Sequence, residues 1–296
     1  MTVPSRIAFV GLGAMGHAMA TTLLKHQYRV TGYDIRSEAV ARFASTGGDA
    51  AATACEAAAG ADLLVLMTVT IDQAESALLG SGALDALPQG ATVVLMATCP
   101  PARVAALSRR VVDSGRRFVD APVSGGVVGA EAGTLTIMAA CDEATFSAAR
   151  PVLAAMGSGL VHVGPTPGQG AAMKVVNQLA CGVHIAVAAE ALAFAERQGI
   201  DPGVALQILS ASAASSWMLK NRGSRMLDTR PQVASAVDIF VKDLGLVLEA
   251  GSAAKMGLPL AAIAHQAFLT ASGMGLGSED DSQVIAAYRV LLERSH

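Results

Sequence analysis

The chain has 296 residues, of which 52% are hydrophobic and 4% aromatic, and its formal net charge at pH 7 is −3. This length is sufficient for two domains, whereas the negative charge and the few aromatic residues argue against a nucleic-acid-binding surface. The four scattered cysteines lack a CxxC pair and are expected to be reduced thiols of a cytoplasmic protein, and the amino terminus shows no signal-peptide pattern.

The first predicted elements surround a glycine-rich turn. A β-type run at residues 7–10 leads directly into Gly11-x-Gly13-x-x-Gly16, and a helix is predicted over 17–26. A second predicted strand, 28–33, ends at Asp34. Strand, glycine turn, helix, strand and acidic residue in this order are typical of a dinucleotide-binding unit.

Each part of this unit has a physical role. Gly11 allows the tight turn, Gly13 lets the backbone approach a pyrophosphate, and Gly16 lets the helix lie close to the strand. The helix amino terminus supplies N–H groups for phosphates. Asp34 is expected to bind a ribose diol and to favour NAD over NADP, a preference that Arg36 could soften. The predicted cofactor contacts here are Gly11, Leu12, Gly13, Ala14, Met15, Gly16 and Asp34.

The alternation of strands and helices continues along the first half of the chain. Two uninterrupted apolar runs, 62–68 and 91–96, are typical of buried parallel strands. The other predicted strands are 117–120, 134–139 and 160–163, and the other predicted helices are 37–43, 71–79, 101–114 and 142–156. This pattern predicts an α/β fold with a doubly wound sheet.

The pattern changes at Gly164-Pro165-Thr166-Pro167-Gly168, which predicts a domain boundary. We therefore expect a doubly wound Rossmann domain over residues 1–163 and an all-α domain for substrate binding and oligomerisation over residues 164–296. A long helix is predicted over 171–198. Its polar residues argue against a membrane span and favour a helix buried in protein.

Four blocks together resemble the β-hydroxyacid dehydrogenase family. They are the glycine turn, Asp120-Ala-Pro-Val-Ser-Gly-Gly126, Gly168-Gln-Gly-Ala-Ala-Met-Lys174-Val-Val-Asn177 and Phe240-Val-Lys242-Asp243-Leu244. The resemblance covers essentially the whole chain. It implies an NAD-dependent oxidoreductase that acts on a small hydroxy acid, without a metal, as a cytoplasmic homodimer or homotetramer.

The resemblance assigns Lys174 as the general acid/base. Asn177 lies at i+3 on the same helical face, where its amide could donate to the substrate hydroxyl. A free lysine has a pKa of about 10.4, so burial is expected to lower the pKa toward the range of a useful base. The alternative for an isolated lysine is a solvated surface group.

The resemblance also implies further contacts. Backbone N–H groups at Ser124, Gly125 and Gly126 are expected to bind a substrate carboxylate. Gln178 stands where many relatives have a second asparagine, and Trp217 either lines the substrate pocket or packs in a core. The remaining predicted cofactor contacts are Thr68, Val69, Thr98 and Lys242. Thr98 lies in a turn that departs from the family pattern, and Lys242 could instead be part of a solvated charged pair with Asp243.

The implied reaction is oxidation of a four-carbon sugar acid such as L-threonate at C2 to its 2-oxo acid. The stretches that point to this substrate are Ser216-Trp217-Met218, Asn221-Arg222, residues 235–245 and Glu279-Asp280-Asp281-Ser282. The alternatives are oxidation of 3-hydroxyisobutyrate, reduction of 2-hydroxy-3-oxopropionate (tartronate semialdehyde), and a nucleotide-binding regulator without catalysis. An imine reductase is disfavoured because such enzymes commonly lack the lysine.

Overall fold

The computed structural model describes residues 4–293. The chain divides into two compact units between Lys174 and Val175. The first contains all the described strands and the second is helical. This confirms the expected fold class, an α/β Rossmann domain followed by an all-α domain.

The first unit is built on one sheet of nine strands. The strands are β1 (Arg6–Val10), β2 (Arg29–Tyr33), β3 (Asp49–Ala50), β4 (Leu63–Leu66), β5 (Thr92–Leu95), β6 (Arg117–Asp120), β7 (Val123–Ser124), β8 (Thr136–Ala140) and β9 (Gly159–Gly164). Strands β3-β2-β1-β4-β5-β6 are parallel in this spatial order. Strand β8 pairs antiparallel with β6 and β7 and parallel with β9. The order reverses between β1 and β4, where doubly wound sheets bind their ligands.

Helices cover both faces of this sheet. They are α1 (Ala14–Lys25), α2 (Ser37–Ala44), α3 (Ala54–Ala58), α4 (Ile71–Glu75), α5 (Ala83–Ala86), α6 (Pro101–Asp113), α7 (Gly126–Ala132) and α8 (Glu143–Met156). Alternate side chains of one strand enter different cores: Ile7 and Phe9 belong to one cluster, and Ala8 and Val10 to the other. Burial on both faces explains why the strands read as uninterrupted apolar runs.

The predicted long elements are present, and the differences concern their ends and the short elements. Helix α1 begins three residues before the predicted start because Gly13 is its N-cap. Five short elements of two to seven residues were not predicted, namely β3, β7, α3, α5 and α7. Such short segments carry too few residues to show a periodicity.

The second unit has its own hydrophobic core. Its helices are α9 (Gln169–Arg197), whose first residues belong to the first unit, α10 (Pro202–Ala211), α11 (Trp217–Leu227), α12 (Val237–Ala253), α13 (Pro259–Ala271) and α14 (Ile285–Glu293). A 3₁₀ segment, Asp281–Val284, precedes α14. By length and composition α9 could cross a membrane, and half of its most apolar window is buried in the protein.

Candidate active site

The glycine turn lies at the carboxyl end of β1, beside the end of β4. Gly11 has φ +96°, and a Cβ atom there would lie 2.2 Å from the carbonyl oxygen of Met67. A Cβ on Gly16 would lie 1.8 Å from the carbonyl oxygen of Gly11. These contacts leave no room for a side chain, and the turn therefore requires glycine at both positions.

The amino terminus of α1 is open toward a ligand. Gly13 caps it without a side-chain hydrogen bond, so the first N–H groups of the helix have no side-chain acceptor. A Cβ on Gly13 would approach only the guanidinium of Arg36, at 3.6 Å. Bare backbone, unpaired N–H groups and the positive end of the helix dipole fit the pyrophosphate of a dinucleotide. Leu12, Ala14 and Met15 belong to this turn and the first residues of α1.

Asp34 follows β2 and is tied to the glycine turn. Its Oδ2 accepts the N–H of Leu12 at 2.8 Å, and its Oδ1 accepts the backbone N–H and the Nε of Arg36 at 2.9 and 3.1 Å. Burial by itself raises the pKa of Asp34, but the hydrogen bonds from Arg36 and Leu12 outweigh it and hold the pKa below the usual value. The carboxylate is therefore ionised and oriented, while Arg36 partly neutralises it.

Three other predicted cofactor residues follow neighbouring strands. Thr68 and Val69 follow β4, and Thr98 lies between β5 and α6. The Thr68 hydroxyl donates to the carbonyl of Thr70 at 2.8 Å, and the Val69 N–H donates to Oε1 of Gln73 at 2.9 Å. Because the carboxyl ends of parallel strands share one edge of the sheet, these loops lie on the same edge as the glycine turn. Their contact with a cofactor stays a prediction.

Ser124, Gly125 and Gly126 connect β7 to α7. Gly125 has φ +131° and Gly126 has φ +64°, values that other residues rarely adopt. Gly125 is the N-cap of α7 and provides no side-chain hydrogen bond. The segment thus offers backbone N–H groups at a helix start, with the half-buried Ser124 adding a hydroxyl, which suits a carboxylate ligand.

Asp120, at the end of β6, holds the start of α9. Its Oδ2 accepts the N–H groups of Gly168 and Ala171 at 2.8 and 2.9 Å, and the N–H of Gly170 also bonds to it. Burial raises the pKa of Asp120 to about 6, although these three N–H groups lower it. Asp120 lies in one of the motifs that resemble the family and was expected to be structural. The structure shows that it anchors the first turn of the helix that carries Lys174.

Lys174 is the last residue of the first unit and is only 6% exposed. It lies in the second turn of α9, and Asn177 follows one turn later on the same face. The burial excludes the alternative of a solvated surface lysine. The functions of Lys174 and Asn177 stay predictions.

A hydrogen-bonded network joins α9 to α12 within the helical unit. Nδ2 of Asn177 donates to Oε1 of Gln178 at 2.9 Å and to Sγ of Cys181 at 3.4 Å. Nε2 of Gln178 donates to Oδ2 of Asp243, and Nζ of Lys242 lies 2.8 Å from Oδ1 of Asp243. Asp243 is 3% exposed. Lys242 and Asp243 are therefore not a solvated charged pair, and the contact of Asp243 with α9 was not predicted because it joins residues 65 positions apart.

Trp217 is the first residue of α11 and is 57% exposed, which excludes core packing. The guanidinium of Arg222 lies 5.8 Å from the centroid of the indole ring. Arg222 itself donates from Nε and Nη2 to the fully buried Asp281 at 3.1 and 2.9 Å. Two of its nitrogens are thus committed to Asp281, and the third, Nη1, donates to Oδ1 of Asn221 at 2.6 Å. Trp217 remains a candidate for the substrate pocket.

Within residues 4–293, no group of three or more His, Cys, Asp or Glu residues could hold a metal ion. The structure describes two histidines that bond to backbone carbonyls, His162 to Cys141 and His265 to Val241. These contacts agree with histidines that serve packing.

Comparison with known proteins matches these features to one family. Residues 6–164 match the NAD binding domain of 6-phosphogluconate dehydrogenase, and residues 168–288 match the NAD-binding domain of NADP-dependent 3-hydroxyisobutyrate dehydrogenase. The chain is 42% identical over 283 residues to an L-threonate dehydrogenase of Cupriavidus necator, which covers 95% of each chain. It is 37% identical over 285 residues to the 2-(hydroxymethyl)glutarate dehydrogenase of Eubacterium barkeri, over 96% of this chain and 94% of the other.

A solved structure shows the same fold over nearly the whole length. The 3-hydroxyisobutyrate dehydrogenase of Salmonella typhimurium superimposes with a TM-score of 0.89 at 39% identity, covering 95% of this chain and 98% of the other. The dinucleotide turn, the strand order and the motif around Lys174 agree with this similarity. The chain belongs to the NAD(P)-dependent hydroxyacid dehydrogenases of the 3-hydroxyisobutyrate and 6-phosphogluconate dehydrogenase family and is an oxidoreductase.

Proposed function

We propose that this dehydrogenase oxidises L-threonate at C2 to the 2-oxo acid 2-dehydro-L-erythronate, with NAD as the oxidant. The observation that carries the chemistry is the buried Lys174, one turn beyond the helix start that Asp120 anchors. The substrate is supported by the near full-length similarity to an L-threonate dehydrogenase. The NAD preference rests on the ionised Asp34, which would repel a 2′-phosphate.

In this proposal Lys174 acts as the general base. Its neutral amine takes the proton of the C2 hydroxyl during oxidation and returns a proton during reduction. Removal from water disfavours the charged ammonium and so favours the neutral amine, which is the form that can accept a proton. The nicotinamide ring, when bound, accepts the hydride that leaves C2. Nothing in this scheme requires a metal.

The remaining residues bind and orient. The glycine turn and Asp34 hold the dinucleotide, with Thr68, Val69, Thr98 and Lys242 as further contacts. The N–H groups of residues 124–126 bind the substrate carboxylate, and Gln178 and Trp217 line the substrate pocket. We further propose that residues 1–163 supply most of the cofactor site and that residues 164–296 supply most of the substrate and subunit contacts.

The proposal is tested by measuring NADH formation on a panel of hydroxy acids with three to six carbons. We expect turnover of L-threonate with NAD, and we expect Lys174→Ala to abolish it while NAD binding, measured by calorimetry, is retained. Lys220→Ala is the matched control because Lys220 is exposed on α11. Full activity of Lys174→Ala would refute the acid/base assignment.

The second candidate substrate is 3-hydroxyisobutyrate, favoured by the structural similarity to the enzyme from Salmonella typhimurium. Tartronate semialdehyde, tested in the direction of reduction, is the related alternative. Turnover of 3-hydroxyisobutyrate without turnover of L-threonate would establish this alternative. NAD binding without turnover of any acid would instead support a regulator.

We also propose a cytoplasmic homodimer or homotetramer. The helical unit exposes more than half of several large apolar side chains, namely Val187, Phe194, Ile208, Leu260 and Ile263. Such surface is unfavourable in water and is usually covered by another protein surface. Light scattering coupled to size-exclusion chromatography measures the mass, and a monomer at micromolar concentration would refute the proposal.

A further inference from the structure

The buried carboxylate of Asp243 has no part in the chemistry proposed above. It lies on α12, 3% exposed, between the ammonium of Lys242 and the amide of Gln178. A buried charge is costly unless its neighbours compensate it. Oδ2 accepts from Gln178, whereas Oδ1 lies 2.8 Å from Nζ of Lys242 in an ion-pair contact without hydrogen-bond geometry, so Asp243 can orient Gln178 through Oδ2.

The polarity of the network follows from elementary hydrogen-bond chemistry. Nε2 of Gln178 donates to Oδ2 of Asp243, because a carboxylate oxygen accepts hydrogen bonds and an amide NH₂ group donates them. The carbonyl oxygen of Gln178 then faces Asn177, which must turn its own NH₂ group toward it. The carboxylate thus determines the orientation of two successive amides.

The consequence for Asn177 is specific. An amide NH₂ group has two hydrogens, and those of Asn177 are directed to Gln178 and to Sγ of Cys181. The carbonyl oxygen of Asn177, an acceptor, is then the group of its amide that can bind a substrate. This differs from the expectation that Asn177 donates to the substrate.

An acceptor next to Lys174 selects a substrate with a second hydroxyl group. The reacting hydroxyl has one proton, and the amine of Lys174 takes it during oxidation. A hydrogen bond from the substrate to the oxygen of Asn177 therefore requires a second donor on the substrate. A hydroxyl group on the neighbouring carbon supplies such a donor, whereas 3-hydroxyisobutyrate contains a single hydroxyl group.

We propose that Asp243 is a positioning residue which, through Gln178, orients Asn177 to accept a hydrogen bond from a hydroxyl next to the reacting one, and thereby selects acids with vicinal hydroxyl groups. The inference deepens the proposed function and rests on it for the place of Asn177 beside the substrate. It assigns the basis of substrate choice to residues of the helical unit.

Asp243→Asn tests the inference because the contact with Lys242 determines how the new amide turns. The carbonyl oxygen of the new amide stays with the ammonium of Lys242, and its NH₂ group replaces the oxygen that faced Gln178. Gln178 must then present its oxygen to position 243 and its NH₂ group to Asn177. The amide of Asn177 turns as well, and a donor replaces the acceptor.

The double variant Gln178→Glu/Asp243→Asn is the matched rescue. The glutamate accepts from the amide at position 243 with one oxygen and from the NH₂ group of Asn177 with the other. The formal charge equals that of the wild type, and Asn177 again presents its oxygen. If Asp243 had a merely structural function, this exchange of charge would not restore the substrate preference of the enzyme.

The measurement is the ratio of kcat/KM for L-threonate to kcat/KM for its 3-deoxy analogue, 2,4-dihydroxybutanoate. We expect Asp243→Asn to lower this ratio by about 10- to 100-fold, since one hydrogen bond to the substrate is lost and a donor faces a donor. The double variant should recover most of the ratio. Gln178→Met, which leaves Asp243 in place, should lower the ratio as well and serves if Asp243→Asn does not fold.

An unchanged ratio in folded Asp243→Asn or Gln178→Met would overturn the inference, as would a folded double variant without recovery. Glycerate and 3-hydroxypropionate form a second substrate pair that differs by one vicinal hydroxyl. If the wild type oxidises these acids but not L-threonate, the proposed substrate fails, while the ratio for this pair still tests Asp243. The two failures are therefore distinguishable.

Discussion

Substitution of Asp120 should change how the stability of the first unit depends on pH. The pKa of Asp120 is about 6 in the folded chain, against 3.8 for an unperturbed aspartate, because the carboxyl group is buried. The folded state therefore binds a proton between about pH 4 and pH 6 that the unfolded chain releases. The stabilisation is fully present below about pH 4 and is lost as the pH rises through about 6.

The magnitude follows from the two pKa values. At about 1.36 kcal/mol per pKa unit, the difference between 3.8 and about 6 corresponds to about 3 kcal/mol of unfolding free energy. Asp120→Asn cannot titrate and lacks this dependence. We therefore compare the free energies of unfolding of the wild type and of Asp120→Asn at each pH. The difference, wild type minus variant, should fall by about 3 kcal/mol between pH 4 and pH 7.

The assay is urea denaturation at several pH values, read by hydrogen exchange of peptides that cover β6 and the start of α9. This local readout is needed because the single tryptophan, Trp217, lies in the helical unit. Asp120→Ala is the companion variant. It leaves the N–H groups of Gly168, Gly170 and Ala171 without their acceptor, at a cost of about 1–3 kcal/mol for each buried donor. A pH-independent difference between the wild type and Asp120→Asn would refute the reasoning.

Three further predictions concern the cofactor turn and the ion pairs. Gly11→Ala introduces a Cβ atom 2.2 Å from the carbonyl oxygen of Met67, on a residue whose φ is +96°. Because the turn must shift, calorimetry should show that the affinity for NAD falls by at least about 10-fold. Arg36→Ala removes the cation that partly neutralises Asp34, so the ratio of kcat/KM with NADP to kcat/KM with NAD should fall. The free energy of unfolding should change by less than about 1 kcal/mol, because Arg36 is partly exposed. Arg222→Ala removes the closer of the two arginine partners of the fully buried Asp281 and should cost about 3–5 kcal/mol in urea unfolding followed by tryptophan fluorescence. Substitution of an exposed arginine, Arg230→Ala, should change the stability by less than about 0.5 kcal/mol. An unchanged ratio for Arg36→Ala, or equal stability of the two arginine variants, would contradict these interpretations.

Local chemistry made much of the fold and part of the site predictable. The need for glycine at positions 11 and 16 arises from contacts within one turn and its neighbouring strand. The apolar runs of β4 and β5 report burial on both faces of a parallel sheet. The three-residue spacing of Lys174 and Asn177 places them on one face of any helix. Short two-residue strands such as β7 are defined by their pairing partners and were missed.

By itself, the sequence determined the class of fold, the dinucleotide turn and the helix that carries Lys174, because these depend on backbone sterics and on short periodic patterns. Only the tertiary structure decided which carboxylates hold that helix and orient its amides. Asp120 reaches the start of α9 across 48 positions, and Asp243 reaches Gln178 across 65. Burial and pairing at such separations depend on how the chain folds back on itself, which no local pattern of residues encodes.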